Sequence, residues 1–330
     1  MANITSVSNK QEFGLGSIAT KLALYISLLK PRVMSLSIFT SFVGMIIAPG
    51  SLSFTSGLLA ILAISIGSGA SGALNMWYER DTDKLMNRTK DRALPTNQIS
   101  ANGALIYGIT LSIIAVSMLY LVSNLAAAGL LLLTICFYIF IYTIWLKKRT
   151  PQNIVIGGAA GAFPPMIGWA VVTGGVSTEI CLLFMLIFLW TPPHFWALAL
   201  YKSDDYKKAG IPMMPLIVGE RKTINLIIAY SITLLPLTLI MSSYYSLFFG
   251  VSSTALSIFF IYLAFDLKRS WLKDGLLERK AQMLFYFSII YRFFNLFYSV
   301  ISLIFYCLCK GFDFKKRIFL LASSKKTQHL

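Results

Sequence analysis

The sequence predicts an all-α polytopic membrane protein with about nine transmembrane helices. Three observations carry that expectation. The 330 residues are 57% hydrophobic and only 13% charged, where a soluble globular protein carries roughly 25% charged residues. Apolar runs of spanning length, roughly 17–25 residues, recur along the whole chain. The loops between them alternate between basic and uncharged. This composition excludes a disordered chain, a coiled coil and an ordinary cytosolic enzyme. The net charge of +16 belongs to cytoplasmic loops under the positive-inside rule, so no nucleic-acid partner is expected.

Nine runs justify the elements in order: about 29–49, 56–78, 101–122, 124–146, 152–173, 179–200, 223–244, 246–266 and 284–309. Lipid offers a backbone no hydrogen-bond partners, so each should be a helix. Residues 50–56, 174–178 and 242–248 contain no Lys or Arg, nor does the link near 123. The intervening loops are basic. Loop 79–100 holds Arg80, Lys84, Arg88, Lys90 and Arg92, loop 147–151 holds Lys147, Lys148 and Arg149, and loops 201–222 and 267–283 carry five each. The rule therefore places the N-terminal segment (1–28) and these loops in the cytoplasm, with one transmembrane domain over 29–309. A basic tail, 310–330, conflicts with an odd number of spans, and the upstream helices are expected to fix the topology. No secretory signal or Arg-rich presequence opens the chain, which favours a bacterial inner membrane. The four cysteines fall in or at the end of apolar runs and read as buried small side chains.

Within span five, Gly157, Gly158 and Gly161 predict close helix packing, and Pro164-Pro165 predicts a break. Acidic residues are scarce, so their placement is informative. Asn75, Glu79 and Asp83 follow at spacing four, which sets one amide and two carboxylates on a single helix face if span two continues, with Asp81 pointing elsewhere. A second cluster, Asp204 and Asp205, follows span six. Facing each other, the two could hold a diphosphate through Mg²⁺, a hard cation that takes oxygen ligands and substrate phosphates. Charged helix ends at the headgroups are also commonplace, but an Asn one turn inside an apolar helix should face protein or a cavity.

His194 lies in Trp190-Thr-Pro-Pro-His-Phe-Trp196. It could be a hydrogen-bonded packing residue or a functional one. The prolines leave nearby carbonyls without helical partners, which could kink the helix and open a pocket. Arg32, Lys147 and Arg149 could anchor headgroups or reach a diphosphate at the same face. Arg292 and Asn295 in the last span are anomalous: Arg at a membrane centre costs about 2.5–3.5 kcal/mol on insertion scales. They need a partner, a cavity or a shallow position.

Five stretches in order resemble the UbiA superfamily of intramembrane prenyltransferases: Lys30-Pro-Arg-Val-Met34; Asn75-Met-Trp-Tyr-Glu-Arg-Asp-Thr-Asp83 with Asn87-Arg-Thr89; Arg149-Thr-Pro-Gln-Asn-Ile154; Trp190-Thr-Pro-Pro-His-Phe-Trp-Ala197; and Asp205-Tyr-Lys-Lys-Ala-Gly-Ile-Pro-Met213. The resemblance covers about 28–300, and the His-containing stretch points to the haem branch rather than the quinone branch. Glu79 departs from the family's Asn-x-x-x-Asp-x-x-x-Asp, and the second motif, Asp-x-x-x-Asp, is reduced to Asp204 and Asp205.

The resemblance implies a bundle of about nine helices around a central cavity, with both acidic motifs at its cytoplasmic mouth. It implies farnesyl transfer, with addition of water, from farnesyl diphosphate to the 2-vinyl group of haem b, giving haem O for haem A synthase or a terminal oxidase. Asn75, Glu79, Asp83 and Asp205 would hold Mg²⁺. Arg32, Arg80, Lys147, Arg149, Asp204 and Lys208 would bind substrate, and His194 would ligate haem iron or orient the water. Transport is the rival from another class, but coupling carboxylates tend to sit near the midplane and here they cluster at one face.

Overall fold

The computed structural model describes residues 15–272 and 277–309. As backbone desolvation in lipid requires, the described residues form helices and turns with no strand. The helices are α1 (Leu15–Leu28), α2 (Pro31–Ile47), α3 (Phe54–Asp83), α4 (Ala101–Val122), α5 (Leu125–Cys136), a π-helical segment (Phe137–Leu146), α6 (Asn153–Thr173), α7 (Thr178–Tyr201), the short α8 (Ser203–Lys208) and α9 (Met214–Val218), α10 (Glu220–Ser242), α11 (Leu247–Leu272) and α12 (Leu277–Cys309).

Every predicted run is a helix. Eight are long and apolar enough to cross a membrane. The ninth, α2, has 17 residues, or about 26 Å at 1.5 Å per residue, just under the ~30 Å of a hydrocarbon core. Two features were not expected. A helix, α1, occupies part of the N-terminal segment and lays Leu24, Tyr25 and Leu28 against the α3–α4 side of the bundle. Pro164 and Pro165 lie inside α6, which continues to Thr173 rather than ending. The basic tail lies outside the described residues.

Polar caps start the helices where the chain re-enters the bundle. Ser53, Ser100 and Asn124 each accept from a backbone N–H three residues on, at 3.0, 3.1 and 2.9 Å, satisfying donors that a helix start leaves free. α2 packs on α6, α3 on α4, α7 on α6, α10 and α12, and α11 on α10 and α12. The α2–α6 seam is the tightest. A Cβ at Gly44 would strike the Pro165 carbonyl, and one at Gly168 the Ser41 carbonyl. Close backbone approach of this kind substitutes for the hydrophobic effect, which lipid does not provide between helices.

α3 has 30 residues, about 45 Å, so it outruns the apolar core by several turns. Those extra turns carry the acidic stripe.

Candidate active site

Because α3 stays helical through Asp83, Asn75, Glu79 and Asp83 share one face, and they are only 2%, 6% and 3% exposed. Each is met by a cation from a different part of the chain. Lys30 Nζ donates to Asn75 Oδ1 at 2.5 Å. Lys147 pairs with Glu79. Arg92 Nη1 donates to Asp83 Oδ2 at 2.9 Å. Asp81 faces outward, 70% exposed, and pairs with Lys84 at 2.9 Å.

Local structure delivers each cation. Lys30 ends the α1–α2 turn with φ 51° and ψ 59°. This left-handed conformation is uncommon for a residue with a Cβ and costs of order 1–3 kcal/mol. Pro31 at the first position of α2 cannot extend the helix backwards. Arg92 comes from the turn-rich segment after α3, which folds back so that Thr89 Oγ1 donates to the Asp83 carbonyl at 2.9 Å. Lys147 follows the π-helical segment.

That segment also braces the stripe. Thr143 Oγ1 donates to the Tyr138 carbonyl five residues back, at 2.8 Å, and accepts from Asn75 Nδ2 at 3.1 Å. The wider π turn brings Tyr138 and Tyr142 onto one side, stacked at 5.5 Å. Single π turns inside α-helices are frequent at functional sites.

Beyond the stripe lies a cavity of ≈ 330 Å³ between α2, α3, α5, the π segment, α6, α7 and α12. Its lining is mostly apolar. Among the described residues, its charged lining is Lys30 and Arg292, with no carboxylate. Gly157 and Gly158 back onto Tyr142 and Thr191, so small residues permit close packing there as expected, whereas a Cβ at Gly161 would meet nothing within 4 Å. Trp190, Thr191 and Phe195 bring the proline-containing part of α7 to the cavity.

His194 sits beside this wall, not in it. Its ring is stacked between Trp190 and Phe285, with centroids at 4.4 and 4.6 Å, and its Nδ1 lies 2.6 Å from Ser288 Oγ. Arg292 resolves part of its anomaly by lining the cavity, its guanidinium 5.0 Å from the Trp190 ring. Asn295 is buried and donates to the Tyr291 carbonyl at 2.8 Å.

Other expected residues are placed differently. Arg32 is exposed on the first turn of α2, and Lys30 reaches the stripe instead. Arg80 turns back to the Trp77 carbonyl at 2.8 Å. Arg149 and Lys208 are exposed. Asp204 and Asp205 have backbones in α8, and their side chains lie outside the described residues. The segment around them does approach the first motif: Arg88 lies over the Tyr206 ring at 5.8 Å, and Met86 clusters with Ile154, Ala209, Ile211 and Met213.

Lys30, Arg92, Thr143 and the two tyrosines were missed by the sequence reading. Lys30 was visible beside Pro31 but stood next to the better-placed Arg32. Arg92 was one basic residue among five in its loop. Nothing in an apolar run marks a π turn.

Among the described residues, no three His, Cys, Asp or Glu side chains converge. The donor set nonetheless fits a hard divalent ion completed by phosphate oxygens: one amide and two carboxylates, buried, on one face. The cations beside them would remain to meet phosphate.

The sequence profile of the UbiA prenyltransferase family matches residues 37–290. The chain is 49% identical over 299 residues to the protoheme IX farnesyltransferase of Parvibaculum lavamentivorans, covering 88% of this chain and 92% of that one. It is 50% identical over 282 residues to the protein of the same name from Bartonella henselae, covering 84% and 90%. Among solved structures, a digeranylgeranylglyceryl phosphate synthase superposes with a TM-score of 0.72 at 17% identity, over 86% of this chain and 98% of that one. A UbiA homologue from Archaeoglobus fulgidus bound to GPP and Mg²⁺ superposes with a TM-score of 0.60 at 18% identity, over 84% and 99%. These two show a shared fold. With the family profile covering most of its length and relatives about half-identical over more than four fifths of it, the chain belongs to the UbiA prenyltransferase family.

Proposed function

We infer that this protein transfers the farnesyl group of farnesyl diphosphate, with addition of water, to the 2-vinyl group of haem b, releasing haem O and diphosphate. The observation that carries prenyl transfer is the buried stripe with its three cations, one of which, Lys30, also lines an apolar cavity. The haem acceptor rests on the half-identical relatives named protoheme IX farnesyltransferase.

The stripe residues Asn75, Glu79 and Asp83, with Asp205 from the facing segment, would hold Mg²⁺. When bound, the ion neutralises diphosphate charge and makes it a better leaving group. Lys30, Lys147 and Arg92 exchange their chain partners for phosphate oxygens, where charge builds as the C–O bond breaks. Tyr138 and Tyr142 offer ring faces to the allylic cation, and the apolar walls keep bulk water from it. The vinyl group attacks that cation. Water captures the resulting benzylic-type cation and loses a proton, so haem b, farnesyl diphosphate and water give haem O and diphosphate. His194 has Nδ1 engaged with Ser288, so iron ligation or water orientation falls to Nε2. Exposed Arg149 and Lys208 would serve first encounter with the diphosphate at the mouth.

The basic loops support a bacterial inner-membrane location with the N-terminus in the cytoplasm. The product would pass to haem A synthase or a terminal oxidase. The test is turnover by purified protein with haem b, farnesyl diphosphate and Mg²⁺, read by product mass. A chelator-sensitive gain of farnesyl plus water is expected. Conversion of quinone precursors with haem b left unchanged would overturn the haem assignment.

A further inference from the structure

We propose that Arg292 is the anchor for a carboxylate of the acceptor inside the cavity. The proposal rests on the prenyl-transfer reading above and deepens it by naming the group that orients the second substrate.

Among the described residues the cavity has two cationic stations and no acid. Lys30 stands at the mouth with the stripe, where the diphosphate belongs. Arg292 stands on α12, 15 residues after Leu277 where that helix begins. That is about 22 Å along the helix, deep in the apolar zone. Arg292 makes no ion pair among the described residues. Its Nε is buried without a hydrogen-bond partner, and its Nη2 has only a long contact, 3.5 Å, to the Gly161 carbonyl. The Trp190 ring beneath it orients the guanidinium without neutralising it.

A guanidinium kept in a low-dielectric site with free donors is a receptor for a planar anion, and its fork matches a carboxylate at two points. The wall beside it, whose Gly161 carbonyl Arg292 touches, is suited to a flat ligand. From Gly157 to Gly161 the α6 residues facing the cavity carry nothing larger than a methyl group, and Gly161 faces open space. An acceptor that is planar, apolar and carboxylate-bearing fits both features. Held by its acid edge at Arg292, its opposite edge points toward the mouth, where the allylic carbon is released. Haem b has this layout, with its propionates across the ring from the 2-vinyl group.

The experiment compares haem b with its dimethyl ester, in which both propionates are uncharged, using wild type, Arg292→Gln and Arg292→Lys. Wild type should prefer the free acid, with KM lower by about tenfold, the scale of one charge-assisted contact. Arg292→Gln should raise the KM for haem b by a similar factor, leave the KM for farnesyl diphosphate unchanged, and become indifferent to esterification. Arg292→Lys should fall between. A purely structural role would instead affect both haems alike. The proposal is overturned if wild type treats acid and ester equally, or if Arg292→Gln keeps the preference. If Arg292→Gln does not fold, the wild-type comparison alone decides. Wild type that binds haem b yet never prenylates it would overturn the underlying reading, and this proposal with it.

Discussion

Lys30 and Arg32 are two residues apart, equally basic and equally close to the first membrane helix. Only Lys30 meets the stripe, because a left-handed backbone turns it inward while Arg32 points out. Lys30→Met should therefore raise the KM for farnesyl diphosphate and lower kcat, together by about 10²-fold in kcat/KM, while Arg32→Met stays within about threefold. Steady-state kinetics on the two variants decide this. Glu79 makes a second residue-scale test. Glu79→Gln keeps the shape but leaves Lys147 a buried cation without a counter-charge, so activity should fall by at least ~10²-fold. Glu79→Asp restores a carboxylate of shorter reach and should recover most of that loss, measured at matched Mg²⁺. The stripe itself could be read from spacing alone. The partners could not, since they come from the α1–α2 turn, a loop and the end of a π segment, and no local pattern pairs them.

At the scale of elements, helix identity was legible because lipid leaves one solution for each apolar run, and the nine runs appear where hydropathy puts them. What hydropathy does not encode is backbone detail. Two prolines in α6 were expected to end it, yet the helix continues, since a buried neighbour-packed helix tolerates the lost N–H donors. The π segment was invisible because an apolar run has the same hydropathy whether its turns are α or π. The glycines of α6 separate into two kinds, which gives a direct test. Gly168→Ala drives a methyl into the α2 backbone and should lower stability by about 1–3 kcal/mol. Gly161→Ala meets open space and should leave the melting temperature in detergent unchanged. Equal shifts for both would contradict the seam described for α2 and α6.

At the scale of the whole molecule, charge sets orientation. Arg80, Lys84, Arg88, Lys90 and Arg92 share one side with Lys147 and Lys148, while the 174–178 turn has no basic residue. Single cysteines replacing Lys148 and Gly175 should accordingly label from opposite sides in intact spheroplasts, Gly175→Cys with an impermeant maleimide and Lys148→Cys only after permeabilisation. Labelling of both from outside would reverse the assignment. The bundle, the mouth and the acidic stripe were legible at this scale because they follow from polarity. The cavity's size and lining were not, because they depend on which small residues face inward rather than on how many there are.

The pairing of every stripe residue with a cation of the same chain has a consequence for the protein's life before its first turnover. A buried acidic site that depended on a metal for neutralisation would couple maturation to ion supply, as in small zinc domains that unfold without metal. Here Lys147 and Arg92 neutralise the two carboxylates and Lys30 meets the amide, so the stripe's charge is balanced by the chain itself. On the proposed function, newly made chains should insert and fold without a divalent ion, leaving the ion to turnover alone.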